Sequence, residues 1–287
     1  MHLGNHPNVV PIHYACQDSD FIFLAMPYFP NGSLKRRLTD SYLTVREIIS
    51  IATQILSGLH NIHSKGLIHF DVKPDNILFS NRGEALLSDF GFASPIDFIS
   101  PAEQDRLYAK MIPPECFNNN AFNRQFDIYQ FGLTLHRMCT SEEQFYNEFN
   151  LFYENDTFNR QRFRHAVLNE QFPNRGAYPE HIPQSLVTTV RKCMSSDLDI
   201  RYNSAVDIVN DLADIDGNLL DWNFSKDPDS KSWTKTLSDS RQFQLSVNDD
   251  GSSHAQKTSA SGNIQRVRSH CKNSLNRSDI KQFLRRY

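Results

Sequence analysis

The sequence predicts an α+β fold in which helices carry most of the mass and strands are few and short. Three observations point there. Helical periodicity of apolar residues recurs over 44–62, 126–139, 185–194 and 204–215. Strand-like runs are confined to short stretches, chiefly 19–26, 77–79 and 85–87. The last two bracket a turn at Asn81-Arg82-Gly83, so they read as a hairpin.

Each element has a local cause. Ser-Asp-Phe-Ile-Phe-Leu-Ala-Met over 19–26 is a strand, which Pro27 to Gly32 breaks. Ser33 can cap a short helix through Leu38. Thr44-Val45-Arg46-Glu47 is a capping box. It opens a long helix with Ile48, Ile51, Ala52, Ile55, Leu56, Leu59 and Ile62 on one broad apolar face, and Gly66 ends it. Residues 92–112 carry no period and read as extended. The stretch 126–139 is apolar on nearly every side, which marks a buried helix. Residues 141–181, rich in Phe, Asn and Glu, read as helices with irregular connections. Two amphipathic helices follow, Ser185 to Met194 and Ser204 to Ile215, the second with Ser204 as its cap.

Composition shifts near Asp216. Residues 225–262 are dense in Ser, Asp and Lys and read as a linker or weakly ordered region. Within it Phe243, Leu245 and Val247 alternate ahead of Asp250-Gly251, as one strand and a turn. Asn276 to Tyr287 reads as a short basic helix.

A chain of 287 residues holds one large domain or two ordinary ones, and 39% hydrophobic content supports a sizeable core. The net charge of −3 does not decide for or against nucleic acid. Five cysteines lie far apart without metal-type pair spacing, so reduced thiols are expected rather than a disulfide framework. His60, His63 and His69 cluster without cysteine partners and make a poor zinc site. No basic region followed by an apolar core opens the chain. The longest apolar run, Phe21 to Phe29, contains a proline and is too short to span a bilayer. The expectation is a soluble, cytoplasmic protein with no membrane partner.

The chemistry concentrates in His69-Phe70-Asp71-Val72-Lys73-Pro74-Asp75-Asn76 and in Ser88-Asp89-Phe90-Gly91. Asp71, Asn76 and Asp89 follow one another at separations of 5 and 13 residues. The hairpin has Asp71 and Asn76 at one mouth and Asp89 at the other. Phosphoryl transfer needs such a set: one carboxylate to position a hydroxyl, and oxygen ligands to hold magnesium on the phosphates. Asp-Phe-Gly alone occurs by chance in many chains, but at this spacing and with these neighbours chance is a poor explanation. The stretch resembles the catalytic and magnesium loops of eukaryotic-type (Hanks-type) serine/threonine protein kinases, whose patterns are His-Arg-Asp-Leu-Lys-Pro-x-Asn and Asp-Phe-Gly.

The resemblance runs from about residue 5 to about residue 215. It implies a partial small lobe and hinge over 1–30, a helical large lobe over 31–215, and a C-terminal appendage of unknown fold over 216–287. It implies ATP and Mg2+ as cofactors and transfer of the γ-phosphate to serine or threonine hydroxyls of a protein substrate. Asp71 would orient the hydroxyl and accept its proton late, and Lys73 would sit near the γ-phosphate. Asn76 and Asp89 would hold magnesium. Pro27 would offer adenine a carbonyl and Phe29 an N–H, Leu78 would floor the pocket, and Met26 would guard it. An ordinary strand-to-helix turn is the other reading of 27–29. Structural roles fall to Glu115, paired with Arg201; to Asp127, anchoring the catalytic loop; and to His69 and Phe90, stacked in the core.

Three departures matter. Phe70 stands where the family has an arginine, removing the charge that would pair with a phosphate on the activation segment. Leu107 to Ile112 lacks the family's Gly-Thr. No residue of the chain can be assigned to the glycine-rich loop, the phosphate-binding lysine or its glutamate, which in the family precede the Asn5-His6-Pro7 region. Two expectations follow: a fragment of a complete kinase, or a truncated kinase or pseudokinase serving as a binding or scaffold module. Finally, from Gly251 to Tyr287 eight basic residues and one acidic give +7, and the preceding 250 residues carry −10. That asymmetry suggests docking of an acidic partner. The alternatives are folding back on the acidic body, and nucleic acid, which the lack of a motif and the few aromatics disfavour.

Overall fold

The computed structural model of the chain describes residues 6–19, 21–91, 93–95, 109–117 and 122–287. It opens with a hairpin of β1 (Tyr14–Gln17) and β2 (Ile22–Ala25), Tyr14 facing Ala25 and Gln17 facing Ile22. Sequence pattern shows only the second strand, because Tyr-Ala-Cys-Gln is short and does not alternate. Asp18 closes the turn, its carboxylate accepting from Phe21 N at 2.7 Å.

Helix α1 (Leu34–Asp40) starts where Ser33 accepts from Arg36 N. Helix α2 (Val45–His63) starts at the complete Thr44/Glu47 capping box and buries the face that its periodicity predicts. The segment before β1 is bonded to Leu87, Val10 N donating to Leu87 O and Leu87 N to Asn8 O, both at 2.9 Å, and Asn8 O lies against α2. Gly58 allows this contact, since a Cβ there would sit 2.6 Å from Asn8 O.

Two small pairings follow. β3 (Leu67–Ile68) pairs with β6 (Ser94–Pro95), and β4 (Ile77–Phe79) pairs with β5 (Ala85–Leu87). The antiparallel register places Ile77 opposite Leu87, so the residues before β4 and after β5 meet at one end rather than at opposite mouths.

Helix α3 (Gln125–Cys139) is buried along its whole length, as its all-round apolarity predicts. Helices α4 (Glu142–Asn150) and α5 (Arg160–Leu168) flank the miniature hairpin β7 (Tyr153–Glu154) and β8 (Thr157–Phe158). Helices α6 (Gln184–Cys193) and α7 (Ala205–Ala213, capped by Ser204) complete the helical body. At Gly132 a Cβ would lie 2.7 Å from Cys193 Cβ, so only glycine lets α3 and α6 pack this closely.

The stretch 225–262 is not a weakly ordered linker. It lies within a five-stranded antiparallel sheet of β9 (Asn223–Asp227), β10 (Ser230–Thr236), β11 (Gln242–Asn248), β12 (Ser253–Thr258) and β13 (Ile264–Arg266). One row across the sheet, Phe224, Trp233, Leu245 and Ala255, faces a core. The adjacent row, Ser225, Ser232, Ser246 and His254, faces away. Mean composition is therefore polar although the period-two pattern is intact. Helix α8 (Arg277–Arg286), the basic helix of the sequence, closes that core with Ile280, Phe283 and Leu284.

The sheet packs against the helical body. Arg46 meets Asp221 at 2.5 and 2.9 Å, Phe224 lies edge-on to Tyr42 at 4.7 Å, and Arg277 donates to Tyr178 O and lies 3.5 Å from Glu180. Exposed ion pairs contribute about 0–1 kcal/mol each, so the aromatic contact dominates. Among the described residues no helix is long and apolar enough to cross a membrane.

Two buried histidines give the fold a pH dependence. Burial lowers the pKa of His136 to about 3, helped by Arg175 and Arg137, and that of His181 to about 4. Unfolded histidine titrates near 6.5, so below that pH the unfolded chain binds protons that the folded chain refuses. Their contribution is complete above pH 6.5 and is lost as pH falls toward about 4 and 3. Each adds a slope of up to about 1.4 kcal/mol per pH unit. His181→Gln should flatten the fall of unfolding free energy between about pH 6 and about pH 4.5 by up to that amount, measured by urea denaturation across the range.

Candidate active site

The site hangs from one carboxylate. Asp127, in the first turn of α3, is fully buried and accepts from His69 N and Phe70 N, each at 2.8 Å, with His63 Nε2 also at 2.8 Å. These bonds hold Phe70 at φ 65°, a left-handed conformation that costs an ordinary residue about 1–3 kcal/mol. Gln130, one turn further along α3, continues the clamp: its Oε1 accepts from Val72 N at 2.8 Å and its Nε2 donates to Phe70 O at 3.0 Å.

From this clamp the loop runs to Asp71, Lys73 and Asn76. His69 is fully buried, and burial lowers its pKa. It is held as one neutral tautomer: Nδ1 accepts from Asp71 N at 3.2 Å and Nε2 donates to Ser88 O at 3.0 Å. Ser88 in turn donates to Asn76 O through its N–H at 2.8 Å and its hydroxyl at 2.9 Å. Asn76 Nδ2 donates to Asp71 Oδ2 at 2.8 Å and to Asp71 O at 2.9 Å, and Lys73 Nζ reaches the same Oδ2 at 2.7 Å. Asp71, Lys73 and Asn76 are thus brought together. Asp89 follows Ser88 at the same end of the β4–β5 hairpin, is exposed, and has φ 59°. Asn76 spends its amide nitrogen on Asp71, which leaves its oxygen to accept or to ligate. That oxygen and the Asp89 carboxylate are hard donors of the kind Mg2+ selects, so the residues fit such an ion.

The 27–33 segment is tied to β4. Phe79 N donates to Gly32 O at 3.0 Å, Ser33 bridges Leu78, and Asn31 Nδ2 donates to Ser80 O at 2.7 Å. Leu78, Pro27 and Phe29 are half-buried, and Met26 is 51% exposed. Asn5, Ser100, Leu107 and Tyr108 lie outside the described residues.

The structural assignments can be followed atom by atom. Arg201 donates to both oxygens of Glu115 at 2.8 and 3.0 Å, both groups buried. The rings of His69 and Phe90 lie 4.9 Å apart, tilted by 59° rather than parallel. Phe70 packs edge-on against Phe126 at 4.9 Å and Phe122 at 6.2 Å, with Ile68 and Cys116 alongside. Apolar packing therefore fills the place where the family has an arginine.

Sequence pattern missed Gln130, because a glutamine inside a helix has no local signature. It also missed an ionic chain beside the loop. Lys35 pairs with Asp75 Oδ1 at 2.7 Å, Arg137 lies 4.0 Å from Asp75 Oδ2, and Arg137 pairs with Glu142 through two bonds. Lys35 and Asp75 are 40 residues apart, so no spacing rule could have joined them.

This fold and this loop define a class, the protein kinase domain, and residues 1–211 match that family. The probable serine/threonine-protein kinase PknB of Lactococcus lactis is 27% identical over 212 residues, covering 73% of this chain and 32% of the relative. The serine/threonine-protein kinase PknD of Chlamydia felis is 27% identical over 238 residues, covering 72% and 24%. The serine/threonine-protein kinase PAK mbt of Drosophila melanogaster is 30% identical over 145 residues, covering 50% and 23%. The chain spans about a third or less of these relatives. It belongs to the Hanks-type serine/threonine protein kinase family.

Because Glu115 and Arg201 are buried together, removing one strands the other. Glu115→Ala should lower unfolding free energy by about 3–5 kcal/mol, measured by chemical denaturation. A loss below about 1 kcal/mol would mean that water reaches Arg201 freely.

Proposed function

We propose that the chain transfers the γ-phosphate of ATP to serine or threonine hydroxyls of a protein substrate. The observation that carries this reading is the state of Asp71. Its Oδ2 is fixed by Asn76 and Lys73, and among the described residues its Oδ1 carries no hydrogen bond. A substrate hydroxyl approaching Oδ1 would be oriented by a carboxylate that cannot swing, and its proton would pass to that oxygen. Lys73, held against Asp71, puts a cation beside the transferring group. Asn76 Oδ1 and the Asp89 carboxylate would hold magnesium, which when bound neutralises charge on the phosphates. The carbonyl of Pro27, the N–H of Phe29 and the side chain of Leu78 would receive adenine. The basic C-terminal segment would dock an acidic partner.

A second reading, a binding module without catalysis, is favoured by the β1–β2 hairpin. Tyr14, Phe21, Phe23, Leu24 and Met26 are all more than half exposed there, a surface suited to contact rather than chemistry.

Asp71→Asn should reduce turnover of a serine/threonine peptide by roughly 10²–10⁴ while calorimetric Mg-ATP affinity stays unchanged. Near-normal turnover would remove Asp71 from the chemistry. Equal background rates in both proteins would favour the binding-module reading. Alanine at both Ser94 and Ser100 should leave activity within about twofold, because Phe70 offers no charge for a loop phosphate. A large loss rescued by Glu at these positions would contradict that.

A further inference from the structure

The C-terminal sheet ends in an edge strand, and a cleft of about 640 Å3 adjoins it. Its walls come from three places. The β10–β11 turn gives Leu237 and Arg241, β12 and the turn after it give Lys257, Ser259 and Ser261, and the end of α8 gives Arg286. Three cations line the cleft, and no Asp or Glu side chain does; the carboxylate there is that of the last residue, Tyr287. Asp239 reaches Arg241 at 2.7 Å from outside the lining. Among the described residues no Asp or Glu carboxylate lies within 4.0 Å of Lys257 or Arg286. A fourth cation lies beneath. Lys235 is 4% exposed, and its ammonium donates to the carbonyl oxygen of Asn218 and to a terminal carboxylate oxygen of Tyr287, each at 2.9 Å. Asn218 and Tyr287 themselves line the cleft. Burial lowers the pKa of Lys235, so negative charge above it would favour the ammonium form.

Cations that converge on one cavity, with hydroxyls between them, suit a compact dianion such as a phosphate monoester. A polynucleotide asks for cations along a track and for free aromatic faces. Here Phe243 and Tyr287 stack on each other at 4.9 Å.

The edge supplies the other half of the recognition. β13 pairs with β12 alone, and its three residues are exposed, Ile264 by 68%. An open strand edge is a template for an extended chain. Strand alternation puts Gln265 on the cleft side and Ile264 on the other, so an added strand would have a pocket on one face and an apolar contact on the other.

We propose that β13 and this cleft form a docking site for an extended peptide carrying a phosphoserine or phosphothreonine, its backbone pairing along β13 and its phosphate entering among Arg241, Lys257 and Arg286. The proposal rests on reading the basic C-terminal segment as a docking element, and not on catalysis.

The test is fluorescence anisotropy of the complete chain with four probes. They are a degenerate peptide library with a central phosphoserine or phosphothreonine, its unphosphorylated twin, inorganic phosphate as competitor, and an oligodeoxythymidine. The phosphorylated library should bind at least about tenfold more tightly than its twin, and phosphate should compete. Lys257→Glu and Arg286→Glu should each weaken binding roughly tenfold or more. Lys226→Glu on the opposite edge strand and Lys281→Glu on α8 should not. Should a charge reversal unfold the sheet by circular dichroism, Lys257→Gln and Arg286→Gln carry the same comparison. Equal binding of the twin or tighter binding of the oligonucleotide overturns the phosphopeptide assignment. Loss with Lys281→Glu but not with Lys257→Glu would mean that the segment docks its partner elsewhere. No binding of any probe removes this docking site, while turnover by Asp71 is judged separately.

Discussion

Everything in the site depends on the buried carboxylate of Asp127. It accepts two backbone N–H groups and lies in hydrogen-bond range of His63, inside a core from which water is excluded. Hydrogen bonds to a charged group contribute about 1.5–3 kcal/mol each. Two of them outweigh the roughly 1–3 kcal/mol that Phe70 loses in its left-handed conformation. The strain is thus sustained by α3. The bend at Phe70 brings Asp71 beside Asn76, at the end of the β4–β5 hairpin where Ile77 faces Leu87.

From that anchor a continuous hydrogen-bonded path reaches Asn76 and Asp71. Asp127 fixes His69, His69 fixes Ser88, Ser88 fixes Asn76, and Asn76 fixes Asp71. Each link is short and mostly buried, so the relative positions of Asp71, Asn76 and Asp89 are set by the packing of α3 rather than by flexible loops. The Phe70–Phe122–Phe126 cluster adds a second tie between the loop and α3. That tie is apolar and carries no charge for a phosphate to engage. The bend is therefore maintained by packing, independent of any modification.

Much of this was legible because it is local. Thr44 with Glu47, Ser33, Ser204 and the all-round apolarity of α3 are signals contained within one or two turns, and each element forms where its signal lies. The loop motif placed Asp71, Lys73 and Asn76 together through short sequence separations. What was not legible is either long-range or masked by averaging. Gln130 and the Lys35–Asp75–Arg137–Glu142 chain join residues from separate elements. Of the C-terminal sheet only the Phe243, Leu245, Val247 strand was legible, because a solvent face of Ser, Thr and Gln makes the composition polar and the row Phe224, Trp233, Leu245 and Ala255 joins residues from four separate strands. The basic charge of its last helix was visible. Its division was not: Arg277 turns toward the body while Arg286 borders a cleft.

Asp127 holds the loop that carries Asp71. Native-state hydrogen exchange of the His69 and Phe70 amides tests it most directly, comparing the native chain with Asp127→Asn. The carboxamide keeps the size of the side chain but loses the charge and turns a donor toward one of the two N–H groups. The prediction is that these two amides exchange as slowly as the central α3 amides in the native chain. In the variant they should accelerate far more than the amides of Phe131 to Leu135. Equal protection of His69 and Phe70 in both proteins would contradict the account.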